Sequence, residues 1–306
     1  MWFLLYRAGG KELVERYKDR SNEACEPIEE DSPVWFCWWQ GEETMPDVAK
    51  ACLNSIKMHA DRHPVIVITE ANHGDYVDLP DYIRTKVKQG KISLTHLSDI
   101  LRMALLAKHG GIWIDSTVLI PCKHFNSFIR PDRKFWTCHH VPIYHNISRG
   151  GWVGFFVACG RNNLLPSFMN DFFLLYWKTQ TKLIVYLLID YAFAIARKYI
   201  PSISRMVEEV PVTAMGPLGK CLNDEYVDGE WRRFCTDYDF HKLTYKIKLQ
   251  RTTPEGKNTY YGHIMETYGP DRGEPRGGRA YFRRSLFLVS KVGDSRRRNW
   301  FRRSRR

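Results

Sequence analysis

Residues 98 to 121, SDILRMALLAKHGGIWIDSTVLIP, decide how this chain folds. Ser98 suits a helix N-cap, Asp99 complements the positive first turn, and Leu101, Leu105 and Leu106 recur at helical spacing, which predicts a helix beginning at Ser98. Lys108 and His109 suit its negative end, and Gly110 supplies the left-handed residue on which helices commonly stop. Ile112, Trp113 and Ile114 then read as a short buried strand, and the polarity changes at Asp115. A carboxylate is thereby delivered to the carboxyl end of a strand, the edge at which open α/β sheets bind ligands. Asp99 and Arg102 lie three apart on one helix face and can reach the same pocket. Taken singly, each feature has an ordinary structural explanation, such as an Asp cap with an Arg partner or a Gly-Gly turn before a strand.

The flanking sequence extends the pattern. Met45 to Ala60 predicts a helix burying Val48, Cys52, Ile56 and His59, and the β-branched run Val65 to Thr69 predicts a central parallel strand. Strand and helix alternate through Asp115, which places the chain in the α/β class with a mainly parallel sheet flanked by helices. Beyond it, Phe135 to His140 and Val153 to Ala158 predict strands around a Gly150-Gly151-Trp152 turn, with Tyr144, His145 and Asn146 as candidates to face a ligand. Leu183 to Ala196 predicts a buried helix, because it falls short of the ~20 apolar residues of a membrane span and carries Asp190. An Asp in such a helix is costly unless paired or working, so Asp190 is either a hydrogen-bonded structural group or an acid/base. His241 to Ile247 alternates polar and apolar, predicting an edge strand or its approach. Lys242 there is either a solvent-facing edge lysine or a cation for an anionic ligand.

Taken together, S-D-x-x-R, seven residues, then G-G-x-W-x-D resembles the capsular polysaccharide synthesis family, relatives of the glycosyltransferases that carry DxD-type motifs and move mannose or other hexoses. Val34 to Pro46 (VWFCWWQGEETMP), Val65 to Asn72 (VIVITEAN), Tyr76 to Ile83 (YVDLPDYI) and His241 to Lys246 (HKLTYK) are similar to further family segments, so the resemblance spans Pro33 to Lys246. It implies a GT-A fold: a Rossmann-like sheet binding a nucleotide sugar, UDP favoured over GDP, with a divalent metal, Mn2+ or Mg2+, beneath the diphosphate. On that resemblance Trp39 corresponds to the residue that stacks on the base, with Asn72 nearby. Asp99 and Arg102 correspond to the pair that touches the donor sugar, and Gly111 joins the donor-binding set. Asp115 corresponds to the first Asp of DxD, and Thr117 stands where the second would be. A neutral hydroxyl at Thr117 would leave a hard cation resting on Asp115, phosphate oxygens and water. His241 and Lys242 correspond to the basic C-terminal group that closes over the diphosphate and neutralises the leaving group.

Composition narrows the partners. The chain carries a net charge of +12, yet eleven arginines and one lysine against Asp294 put +11 of it after residue 275. The remaining body is close to neutral, which disfavours a nucleic-acid protein, whose basic residues spread over a face or groove. Within that tail Trp300 and Phe301 sit among arginines, a composition suited to an anionic membrane surface, and residues 280 to 292 predict a short interfacial helix. The eight cysteines include no C-x-x-C pair, predicting neither a zinc site nor a disulfide framework and favouring a reducing cytoplasm. Residues 1–30 read as a helical extension with Leu13 and Tyr17 on one face, 31–262 as the catalytic domain, and 263–306 as the basic tail.

The expectation is a cytoplasmic enzyme peripheral to the inner face of the plasma membrane. It would transfer a hexose, with retention, from a nucleotide-diphosphate sugar to a glycan on a lipid carrier; inversion would require a carboxylate base, for which Asp190 is the candidate. The alternative is a catalytically silent scaffold of a polysaccharide assembly, favoured by Thr117 in place of a second Asp.

Overall fold

The computed structural model describes residues 5–6, 10–139 and 146–270. Tyr144, His145 and the basic tail after residue 270 lie outside them. In chain order the elements are α1 (Lys11–Tyr17), β1 (Val34–Cys37), α2 (Asp47–His59), β2 (Val65–Ile68), α3 (Asp81–Lys88), α4 (Leu94–His109), β3 (Gly111–Ile114), β4 (Val118–Leu119) and α5 (Phe125–Phe128). There follow β5 (Phe135–Thr137), β6 (Phe156–Cys159), α6 (Leu164–Thr179), α7 (Leu188–Tyr199), α8 (Pro201–Glu208), β7 (Met215–Gly216), α9 (Asp228–Asp237), β8 (Phe240–Lys242) and α10 (Tyr260–Tyr268).

Five strands form the main sheet in the order β2-β1-β3-β6-β5. β1 pairs in parallel with β2 and β3, whereas β6 runs antiparallel to β3 and β5. The α/β class read from the sequence is the class observed, with an antiparallel half added beyond β3. Continuous apolar runs such as GIWI and FVAC are buried along their whole length, as strands covered on both faces require. Trp35, Phe36, Trp113 and Phe156 are buried in one core with Leu101 and Leu105 of α4 and Phe168 and Phe173 of α6. Helix α1 adds Leu13, Val14 and Tyr17 to the same core, and the Tyr17 hydroxyl donates to Asp171 of α6 at 2.9 Å.

Four expectations are corrected. Helix α4 starts at Leu94, with Ser93 as the N-cap whose Oγ accepts from His96 N at 3.2 Å. Ser98 sits inside the first turns and donates to Thr95 O, so Asp99 is an interior helix residue. Both serines precede helix-compatible sequence, and packing of the extra turn against α6 selects the earlier one. The helix predicted from Leu183 starts at Leu188, because Tyr176 OH and the Lys182 carbonyl tie the preceding segment into a turn. The strand carrying His241 and Lys242 is not an edge: a second sheet has the order β4-β8-β7, with β8 in the middle. Lastly, Cys122 and Cys235 form a disulfide across 113 residues. The fold brings the segment after β4 against α9, a proximity invisible in cysteine spacing, and the bond removes the argument from spacing for a reducing compartment. Among the described residues, no helix is long and apolar enough to cross a membrane.

Candidate functional site

The site lies at the carboxyl edge of β1, β2 and β3, where the chain leaves the parallel half of the sheet. Gly110, with φ of +65°, ends α4, and its N–H still bonds Leu106 O at 2.9 Å. Strand β3 then runs from Gly111 to Ile114 and hands over Asp115, whose N–H donates to Phe155 O at the facing end of β6. The second sheet completes the edge. Val118 of β4 pairs with Lys242 of β8, and Leu243 N donates to Thr117 O at 2.7 Å, so the register itself sets Lys242 beside Asp115.

Four charged side chains meet there in one chain of bonds. Arg102 donates through Nη1 to Asp99 Oδ1 at 3.0 Å and through Nη2 to Asp115 Oδ1 at 2.9 Å. Trp113 Nε1 donates to the same Asp115 oxygen at 2.9 Å, and Lys242 Nζ donates to Oδ2 at 3.0 Å. Arg102 lies over the Trp113 ring at 4.9 Å, and Lys242 over the Phe155 ring at 4.7 Å. Burial pushes the Asp115 carboxyl up, but Lys242, Arg102 and the Trp113 hydrogen bond outweigh it and hold the carboxyl below its usual range. Gly154 makes room for this arrangement, since a Cβ there would stand 3.1 Å from Arg102 Nη1 and 3.3 Å from the Ile189 side chain.

His96, unremarked in the sequence, extends the chain inward. Trp177 of α6 donates from Nε1 to His96 Nε2 at 2.9 Å. An indole N–H only donates, so Nε2 is an acceptor and the imidazole is neutral with its proton on Nδ1, which faces Asp99 Oδ2 at 3.3 Å. The Asp99 carboxylate is thus held from both sides. Asp190 lies in the first turn of α7, accepts from Trp152 Nε1 at 3.0 Å, and is pushed up to about 6 by burial, with the Asp99 charge adding to the shift. Trp39 follows β1 half-buried, its ring 4.8 Å from that of His73 after β2. Beside it Trp38 meets the exposed Tyr245, three residues beyond Lys242. Cys37 borders the same edge, but burial and then Asp115 push its thiol to about 12, which leaves it a poor nucleophile.

The fold therefore gathers Asp99, Arg102, Asp115 and Lys242, with Asp190 within their field and Trp39 on the same edge. Three predicted site residues do other work. Asn72 spends its side chain on the turn after β2, accepting from Thr69 N and donating to Val67 O, both at 2.8 Å. Gly111 begins β3, the end remote from Asp115, where a Cβ would stand 2.4 Å from Pro33 O. His241 points away from Lys242, as neighbours on a strand do: it is fully buried, donates from Nε2 to Phe234 O at 3.1 Å and accepts from Leu218 N, and burial pulls it down to about 4. Asp115 and Thr117 do not form a divalent-cation site as arranged, for Asp115 is already ringed by two cations and an indole, and Thr117 adds no charge.

The parallel strands of this α/β sheet converge at their carboxyl edge, the edge at which open α/β sheets bind ligands, on paired carboxylates, a guanidinium and an ammonium. This chain belongs to the capsular polysaccharide synthesis protein family, whose model matches residues 8–264. Among solved structures it is similar to the PaToxG glycosyltransferase, at 16% identity over 68% of this chain and 82% of that one, with a TM-score of 0.41. It is also similar to the apo-form glycosyltransferase GlyE of Streptococcus pneumoniae TIGR4, at 10% identity over 77% of this chain and 59% of that one, with a TM-score of 0.35. No curated protein matches the chain.

Proposed function

We propose that the chain is a glycosyltransferase that moves a hexose from a nucleoside-diphosphate sugar to a glycan acceptor in capsule or surface polysaccharide synthesis. The observation that carries this reading is the bonded chain Asp99, Arg102, Asp115 and Lys242 at the carboxyl edge of the sheet. Trp39 offers a half-buried ring for the base, with UDP favoured over GDP. Asp99, fixed between His96 and Arg102, suits donor-sugar hydroxyls, and Lys242 suits the diphosphate. In the reaction the bond between the sugar's anomeric carbon and the β-phosphate oxygen breaks, and its electron pair stays on that oxygen. Lys242 and Arg102 lower the cost of the developing charge, which is the largest contribution the site offers. The acceptor oxygen forms the new bond on the face the diphosphate leaves, its proton passes to the departing phosphate oxygen, and configuration is retained. Asp190 accepts a hydrogen bond from the incoming hydroxyl and orients it.

The acceptor in this reading is built on a lipid carrier, and the basic tail holds the protein at the inner, anionic face of the membrane. Calorimetric titration of UDP, GDP and CMP into the wild type and Asp115→Ala tests the central part. One nucleoside diphosphate is expected to bind the wild type and to be lost in the variant. Binding of none moves the reading to a silent scaffold.

A further inference from the structure

The lone pairs of Asp115 are nearly all spoken for. A carboxylate has about four acceptor positions. Arg102 Nη2 and Trp113 Nε1 occupy two on Oδ1, and Lys242 Nζ occupies one on Oδ2. Two of these three donors are full cations, so a divalent ion seated on the remaining position would stand against both. Thr117 is neutral, and among the described residues no three His, Cys, Asp or Glu side chains gather into a metal-binding group. The unpartnered polar atom here is a donor instead. Arg102 Nε is buried with no acceptor, in a side chain 4% exposed. An N–H without an acceptor is complementary to an oxygen of a ligand and offers nothing to a cation.

We propose that Lys242 and Arg102 supply the positive charge that receives the donor diphosphate, and that a nucleoside diphosphate binds this chain without a divalent metal. The proposal rests on the nucleotide-sugar reading above and makes Asp115 the positioning residue of both cations. The two differ in freedom. Arg102 is locked by two carboxylates and the Trp113 face, whereas Lys242 is 29% exposed and makes one bond, over the Phe155 ring. With one N–H on Asp115 its ammonium has two more donors for a phosphate oxygen, while its stem stays against Phe155. The pairing of β8 between β4 and β7 holds its backbone in register for that contact.

The test is calorimetric titration of UDP and of GDP into the full chain, first with a chelator and then with excess manganese. Wild type, Lys242→Met and Lys242→Arg are compared, with melting temperatures confirming that each is folded. The affinity is expected to agree within about twofold between chelator and manganese, to fall at least about tenfold in Lys242→Met under both conditions, and to be largely kept by Lys242→Arg, as loss and retention of a charge-assisted bond predict. Binding seen only with manganese overturns the proposal and leaves the glycosyltransferase reading standing. Wild-type affinity in Lys242→Met also overturns it. No binding of either nucleotide in either condition overturns the proposal together with the reading beneath it.

Discussion

Replacing Arg102 with Met keeps an apolar stem of similar length and removes the guanidinium that joins the two carboxylates. The consequence is unequal on the two sides. Asp115 keeps Lys242 and Trp113, and its side chain is 28% exposed, whereas Asp99 is 12% exposed and keeps only the His96 N–H. Breaking a buried ion pair by removing one partner costs about 3–5 kcal/mol. Against this, the variant removes the buried, unpartnered Nε, a group whose desolvation costs about 1–3 kcal/mol. The lost stacking on Trp113, worth about 0.5–2 kcal/mol, adds to the cost, so the net loss is about 0.5–6 kcal/mol and centres near ~3 kcal/mol. Each kcal/mol lowers the melting temperature of a chain of this size by about 2–4 °C, so the central loss of about 3 kcal/mol predicts a drop of about 6–12 °C by circular dichroism. Adding Asp99→Asn to the same chain removes the stranded charge and should return about 0.5–3 kcal/mol, a coupling readable in the double-mutant cycle. A melting temperature unchanged by Arg102→Met, or two substitutions that simply add, would refute the claim that this bonded chain is a buried, mutually dependent unit.

The remaining predictions follow from single contacts. Asp190, raised to about 6, loses its charge and gains an O–H in place of one acceptor oxygen as pH falls through that value, so kcat/KM for the glycan acceptor should decline below pH about 6 while nucleoside-diphosphate affinity holds. Because the raised value means the fold tolerates the neutral form better, this group's contribution to stability rises over the same descent, so the decline is not unfolding; persistence of the limb in Asp190→Asn would assign it elsewhere. His96→Phe should raise the KM for the sugar donor at least about tenfold and leave the affinity for the bare nucleoside diphosphate unchanged, since it acts through Asp99, and His96→Gln should recover part of the loss by still bridging Trp177 and Asp99. Equal loss of both ligands would reduce His96 to a packing residue. Gly216→Ala puts a Cβ 2.0 Å from His241 Cε1 and should destabilise by about 1–3 kcal/mol. In combination with His241→Ala, which itself empties a buried ring site, the total cost should be less than the two single costs summed, and simple additivity would contradict the packing assigned to the ring.

What the sequence revealed was local. The α4 helix, the stop at Gly110, the strand to Ile114 and the carboxylate after it all follow from spacing and terminal chemistry within two dozen residues, and they account for Asp99, Arg102 and Asp115. Ser98 reads as the cap because a serine ahead of an apolar-periodic run has the right chemistry, whereas Ser93 takes that place only once the extra turn packs against α6. His96 looked like any helix residue, since its partner Trp177 lies 81 positions away. Lys242 was visible as a cation but not as an inner-strand residue, for its neighbours in the sheet come from Val118 and Met215, far apart in the chain. His241 and Lys242 fall in one similar segment, but adjacent strand residues face opposite sides and only Lys242 meets Asp115. Asn72 and Gly111 came from motif similarity, where residues that shape a turn travel alongside residues that bind.

The most direct measurement is release of nucleoside diphosphate from a panel of UDP- and GDP-hexoses by the wild type and by Asp115→Ala, with fold checked by melting. Turnover of at least one donor by the wild type and a loss of at least about 100-fold in the variant, as expected when a group aligning leaving-group stabilisers is removed, is the predicted result. Equal turnover by both proteins, or none by the wild type with any donor, would contradict a glycosyltransferase site built on Asp115.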